Sequence, residues 1–233
     1  MKKVFKILIF TDLDGSLLHR DTFKFDEVKG YLIELISKGV LIIPTTSKTE
    51  KEILEFNKEL GLKLPYISEN GAAINGLDLL NTNFPKKLIL SREKDNLLKI
   101  FKNMVPINLQ NKCKWLSKMD KKNQRLIFGL KDKKLNMALD RKYTIPFLFN
   151  GSKREKNELS KIIKYENLYL QEGGRVINLT DKVSKAKALQ VFVRIFKKNN
   201  RDLKIIAVGD NYNDLEMLKK SDFPCFVALI IYF

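Results

Sequence analysis

"KILIFTDLDGSLLHRDTF", residues 6–23, is the stretch that decides the fold. An apolar run, Ile7 to Phe10, stops at Thr11-Asp12-Leu13-Asp14-Gly15-Ser16, where the chain turns polar. The run reads as a buried strand with apolar residues on both faces. Two aspartates one residue apart at its end repel each other. One carboxylate there can be a turn residue; a pair needs a further reason.

Outward from that stretch, strand and helix patterns alternate. "DEVKGYLIELISKG" predicts a helix capped by Asp26 and ended by Gly39, with Val28, Leu32, Leu35 and Ile36 on one face. "VLIIP" is the next strand, "SKTEKEILEFNKELG" a helix stopped by Gly61, and "PYIS" a short strand. The order β-α-β-α-β predicts an α/β fold, a doubly wound parallel sheet of Rossmann type. The pattern returns near the end, in the helix "SKAKALQVFVRIFKK", the strand "LKIIAVGD" and the short helix "DLEMLKKSD". Between them lie amphipathic helices such as "EKDNLLKIFKNMV" and isolated strands, "QRLIFGLK" and "RVINLT". Residues 83–178 are therefore expected to form an inserted α+β domain, with 1–82 and 179–233 as the core.

The chain has 233 residues, 44% of them apolar, enough for a core of one large or two small domains. No apolar run reaches the roughly 20 residues that span a bilayer, and no membrane partner is expected. The terminal "CFVALIIYF" is too short and is expected to leave apolar residues partly uncovered. The N-terminal lysines precede a short run that ends in aspartates, which reads as a strand rather than a leader. Cys113 and Cys225 lie far apart without metal-type spacing, which suits a reducing, cytoplasmic setting. The net charge is +17, and residues 83–178 carry +14 of it. Such a segment can face nucleic acid, a membrane surface or an anionic small substrate, or be a lysine-rich solvated surface. Nucleic acid has charge alone in its favour, since no RNA-binding signature is present, so no nucleic-acid partner is expected. Oligomeric state is not legible in the chain.

In an open parallel sheet, ligands gather beyond the carboxyl ends of the strands. Asp12 and Asp14 follow the first strand; Thr45, Thr46 and Ser47 follow "VLIIP"; Asp210, Asn213 and Asp214 follow "LKIIAVG". Clustered carboxylates raise one another's pKa unless a cation pairs with them. A hard divalent ion bound through oxygen, such as Mg²⁺, is the natural partner. The single histidine, His19, excludes a zinc site built on several histidines and is read as a surface turn residue. Taken singly, each candidate has an ordinary alternative. Asp12 can be a turn residue, Thr46 an N-cap, Lys185 one lysine on a solvated helix, and Asp214 a first-turn acid.

Taken together, "DLDGS", "TTSK", "VSKAKAL" and "GDNYNDLEML" resemble, in order and spacing, the four signatures of the haloacid dehalogenase superfamily. The resemblance implies that Asp12 is a nucleophile forming an aspartyl-phosphate, and that Asp14 is the acid and base. It implies that Thr46 holds a phosphoryl oxygen, that Lys185 balances charge, and that Asp12, Asp14 through its carbonyl, Asp210 and Asp214 hold Mg²⁺, with Asn213 in support. The acid at Asp14 is similar to that of the phosphatases and mutases of the superfamily.

The insert lies where the larger α/β cap of that superfamily is placed. "PTTSKTEKEI", "YISENGAAI" and "QEGGRVINL" further resemble the mannosyl-3-phosphoglycerate phosphatase family, and "ALDRKYTIPF" resembles another of its stretches. This implies a small phosphorylated sugar-glycerate substrate met by Ser47, Lys48, Glu69, Asn70, Arg141, Arg175 and Asn213. Arg175 and Arg141 suit two-pronged binding of an anion. Glu69 and Asn70 are expected either to meet sugar hydroxyls or to hold their loop. The chain departs from the family at Asn178, where histidine is usual, and at Lys142 and Ile145, where glutamates are usual. Glucosyl-3-phosphoglycerate and a broader range of sugar phosphates therefore stay open as substrates.

Overall fold

The computed structural model describes residues 5–20, 22–173, 175–197 and 202–228. The chain opens with β1 (Ile7–Thr11), α1 (Asp26–Ser37), β2 (Val40–Pro44), α2 (Glu50–Leu60), β3 (Tyr66–Ser68), β4 (Ala73–Asn75) and β5 (Lys87–Ile89). There follow α3 (Lys94–Met104), α4 (Ile107–Gln110), β6 (Cys113–Trp115), α5 (Lys121–Phe128), α6 (Asp132–Leu139), β7 (Thr144–Phe149), α7 (Lys153–Lys164), β8 (Leu168–Glu172) and β9 (Ile177–Asp181). The chain closes with α8 (Lys185–Lys197), β10 (Lys204–Gly209), α9 (Leu215–Leu218) and β11 (Phe223–Phe226).

These elements fall into two compact units. The first holds residues up to Lys48, Ile53–Leu90 and those from Val183 on; the second holds Thr49–Glu52 and Ser91–Lys182. The boundaries differ from those expected at 83 and 178. Residues 83–90 belong to the first unit because β5 pairs with β4 there. Residues 179–182 belong to the second because β9 is an inner strand of its sheet.

In the first unit a parallel sheet runs β11-β10-β1-β2, and a bridge between Thr45 and Ile67 adds β3 beyond β2. Alternation sorts the side chains. Leu8, Phe10, Leu41 and Ile43 face one way, onto Leu189 and Phe192 of α8 and Met217 of α9. Ile42 faces the other way, with Leu32 of α1 and Ile53, Phe56 and Leu60 of α2. Helices thus cover both faces, the doubly wound α/β arrangement. Phe10 and Phe192 meet edge to face at 5.4 Å, an aromatic contact that adds about 0.5–1.5 kcal/mol to its area burial.

The second unit is an antiparallel sheet, β6-β7-β9-β8, with α3 and α7 packed on one face. Leu97, Phe101, Leu159 and Ile163 meet Phe147, Leu168 and Leu179 there. Ser152 and Glu155 form a reciprocal cap at the start of α7.

Three local readings are corrected. Asp26 does not cap α1; Phe25 holds the N-cap position and Asp26 is a first-turn acid. Leu35 is exposed, outside the apolar face expected for it. "QRLIFGLK" is not a strand but the end of α5 and the turn after it. Asp120 accepts from the backbone of Asn123, and Gly129, at φ +64°, stops the helix. A three-residue apolar run carries no period of its own, so the cap and the glycine decide. Gly39 and Gly61 follow their helices at positive φ, as the sequence predicts. Of the terminal apolar run, Cys225 and Phe226 are exposed, and residues 229–233 lie outside the described set. No described helix is long and apolar enough to cross a membrane.

Candidate active site

The parallel sheet has one switch point. From β1 the chain winds through β2 to β3 on one side, and β10 and β11 lie on the other. The gap beyond the carboxyl ends of β1 and β10 is where such sheets bind ligands. Asp12 stands directly after β1, its N–H bonded to the Val208 carbonyl of β10 at 2.9 Å. Asp210 stands directly after β10.

Lys185 opens α8, and its side chain is only 1% exposed, unlike a lysine on a solvated helix. Its Nζ lies 2.7 Å from Asp12 Oδ1 and 2.7 Å from Asp214 Oδ1. The Asp12 oxygen is buried, with the ammonium as ion-pair partner but no aligned hydrogen bond. Burial favours the neutral amine of Lys185, but the Asp12 and Asp214 carboxylates outweigh it and hold the ammonium above its usual range. Asp214 is pushed above the ordinary carboxylate range, first by burial and further by Asp12, with Lys185 opposing. One ammonium shared by two buried carboxylates leaves a net negative charge, which favours a further cation.

The other Asp214 oxygen accepts from the backbone N–H groups of Asp210, at 3.3 Å, and Asn211, at 3.1 Å. Asp214 is thus the acid of a reciprocal cap with Asn211. Gly209 allows this: a Cβ there would lie 2.4 Å from the Asp214 Cβ. Gly15, at φ +83°, plays the same part for Asp210, whose Oδ2 would be 2.3 Å from an added Cβ.

The remaining two aspartates have cationic partners that the sequence did not show. Asp210 Oδ2 takes a bond from Arg20 Nη2 at 2.9 Å, and its Oδ1 lies 3.4 Å from the Ser16 hydroxyl. Arg20 carried no sequence signal, being one basic residue in a polar turn. Lys48, expected to meet substrate, places its Nζ 2.8 Å from Asp14 Oδ2 and over the Phe23 ring, 5.0 Å from the centroid. His19 sits exposed in the same segment, its Nδ1 accepting from the Thr22 N–H at 3.3 Å.

Thr46 is 1% exposed and is not the cap of α2. That part is played by Thr49, whose hydroxyl accepts from Glu52 N–H at 3.3 Å while Glu52 Oε2 accepts from Thr49 N–H at 2.9 Å. The Thr46 hydroxyl accepts from Lys48 N–H at 3.3 Å, and its carbonyl accepts from Asn70 N–H at 2.9 Å. Ser47 lies half-buried between them. Glu69 and Asn70 are buried, 2% and 6% exposed. Asn213 is exposed, one residue before Asp214.

The second unit holds the other candidates. Arg141 is buried, with Nε on the Ala138 carbonyl at 3.2 Å and Nη1 on the Thr144 hydroxyl at 2.9 Å. Arg175 is exposed and donates from Nη1 to the Phe128 carbonyl at the end of α5. Gly173 N–H closes its turn on the Val176 carbonyl at 2.9 Å, and Gly174 lies outside the described residues. Asn178 is buried, and its Oδ1 has no hydrogen-bond partner.

Asp12, Asp210 and Asp214 each bring one carboxylate oxygen within 4.8 Å of the others. An all-oxygen donor set with surplus negative charge fits a hard divalent cation. Asp14 is outside this group of carboxylates, its side chain being turned to Lys48.

Residues 9–228 match the haloacid dehalogenase-like hydrolase family, and the chain belongs to it. Within that class, the chain is 29% identical over 232 residues to the glucosyl-3-phosphoglycerate/mannosyl-3-phosphoglycerate phosphatase of Persephonella marina, covering 96% of this chain and 86% of the relative. It is 26% identical to the mannosyl-3-phosphoglycerate phosphatase of Pyrococcus horikoshii, over 92% of this chain and 88% of the relative. A haloacid dehalogenase-like hydrolase from Bacteroides thetaiotaomicron shares the fold, with a TM-score of 0.66 at 16% identity over 95% of this chain and 87% of that one.

Proposed function

We propose that the protein hydrolyses the phosphoric monoester of a glycosyl-3-phosphoglycerate, mannosyl or glucosyl, through an aspartyl-phosphate on Asp12. It is a phosphoric monoester hydrolase, and the observation that carries the reading is the Asp12–Lys185–Asp214 contact with Asp210 beside it and Asp14 two residues on. The names of the relatives support the substrate class.

In this reading an Asp12 oxygen attacks phosphorus and the bond from phosphorus to the ester oxygen breaks. Asp14 gives its proton to the departing alcohol. Asp14 then takes a proton from water, whose oxygen attacks phosphorus, freeing phosphate and restoring Asp12. The Lys185 ammonium keeps Asp12 ionised and offsets charge on the phosphoryl group. Lys48 holds the Asp14 carboxyl in place. Thr46 steadies a phosphoryl oxygen. Asp12 and Asp210, with Asp214 behind them, would hold Mg²⁺, which when bound would neutralise phosphoryl charge. Arg175, Arg141 and the positive charge of residues 83–178 serve the anionic glycerate, and the inserted unit sets substrate choice.

The test is phosphate release from a panel of glycosyl-phosphoglycerates, simple sugar phosphates and an aryl phosphate, with Mg²⁺ and after exhaustive chelation. Turnover is expected to require the metal and to favour the glycosyl-phosphoglycerates. Asp12→Asn is expected to remove turnover by about 10⁴-fold or more with the fold retained. Near-wild-type activity in that variant would falsify the mechanism.

A further inference from the structure

Glu69, Asn70 and Gly71 follow one another with φ of +47°, +58° and +97°. Three successive left-handed residues, two of them bearing side chains, form a strained turn. It is also buried, and the Asn70 Oδ1 atom inside it has no hydrogen-bond partner. A turn carrying both penalties persists only where its surroundings over-determine it. Those surroundings are the two halves of the candidate site. On one side, Glu69 N–H donates to the Lys48 carbonyl at 3.0 Å and Asn70 N–H to the Thr46 carbonyl at 2.9 Å. On the other, Gly71 presses on the residue before Lys185: a Cβ added there would lie 2.2 Å from the Ser184 carbonyl oxygen and 3.0 Å from Lys185 N.

We propose that the Glu69–Gly71 turn is a positioning element that fixes Lys185, and with it the shared ammonium on Asp12 and Asp214, relative to the Thr46–Lys48 loop. The turn acts through its backbone. This rests on the phosphatase reading for its activity test and on geometry alone for its structural test. A shift of a few tenths of an ångström at Ser184 passes directly into α8, whose first residue is Lys185. Positioning of this kind acts on every substrate alike, because Lys185 and Asp12 are used whatever the leaving group.

The experiment measures kcat and KM of the full chain with p-nitrophenyl phosphate and Mg²⁺, alongside thermal melting. Asn70→Gly takes the left-handed conformation freely and is expected to lose at least about threefold less kcat than Asn70→Ala. Asn70→Ala opposes that conformation and is expected to lower kcat about tenfold with KM little changed. Equal losses in the two variants, or a loss confined to KM, overturn the proposal and assign the effect to the amide itself. Gly71→Ala supplies a readout independent of turnover. Its crystal structure is expected to show the Lys185 Nζ displaced from its two 2.7 Å contacts. Both contacts unchanged would sink the idea. A wild type inactive on every monoester would count against the phosphatase reading, and the Gly71→Ala structure still decides the turn.

Discussion

Lys185 in the first unit and Arg175 in the second are both basic residues drawn from motifs, and they sit in opposite physical settings. Lys185 is enclosed, with two carboxylates at 2.7 Å. Arg175 is exposed, with a backbone carbonyl as partner. The contrast extends to their units. Residues 1–82 are nearly neutral, with 11 basic and 12 acidic side chains, yet they supply Asp12, Asp14, Arg20 and Lys48 to the candidate site. Residues 83–178 carry +14, and of their charge pairs Arg125–Asp132 and Lys156–Glu172 are solvent-exposed while Lys112–Glu155 is half-buried. In the proposed reading, net charge attracts the anion, while buried pairing builds the chemistry.

The sharpest way to break this contrast is Lys185→Met. It leaves two buried carboxylates without their cation, which costs about 3–5 kcal/mol. Chemical denaturation is expected to show that loss, and phosphate release to fall at least about 10³-fold. A stable, active Lys185→Met protein would show that the buried contact is dispensable and erase the distinction between the units. Arg175→Ala probes the other side. If Arg175 leaves Phe128 to bind the glycerate or phosphate, kcat/KM for the glycosyl-phosphoglycerate drops by about tenfold or more, and an aryl phosphate loses much less. Arg175→Lys recovers only part, because an ammonium lacks the planar fork. Unchanged kinetics with both substrates would leave Arg175 as a structural link to α5.

The smallest effect concerns the best-made ion pair of the second unit. Arg92 grips Asp181 through Nε at 2.9 Å and Nη2 at 3.0 Å. Burial pushes the Asp181 carboxyl up, but the Arg92 guanidinium and the backbone N–H groups of Arg92 and Lys182 outweigh it and hold it below its ordinary value. A folded-state pKa below the unfolded one gives stability that is present above pH about 4 and lost as pH falls through the folded value. Asp181→Asn is expected to cost on the order of 1 kcal/mol at neutral pH and to flatten the acid side of the stability profile. Urea midpoints at pH 7 and pH 3 that differ as much in the variant as in the wild type would remove Asp181 from the account.

The sequence by itself determined the alternation of strands and helices and the positions of the aspartates at strand ends, and it put the insertion eight residues early at its start and four early at its end. Those features are local: side-chain period, helix-stopping glycines and polar residues after apolar runs are written along the chain. It did not determine α5, because a three-residue apolar run is too short to show a period and a distant packing surface was not legible. Nor could it show that Lys48 lies on Asp14, that Arg20 lies on Asp210, or that the Glu69–Gly71 turn leans on Ser184. Arg20 and Asp210 are 190 residues apart along the chain. Such contacts arise only when β10 pairs beside β1 and brings the strand ends together. The tertiary structure alone decided which of many lysines is buried, and burial is what turns a charged residue from a solvated surface group into part of a site.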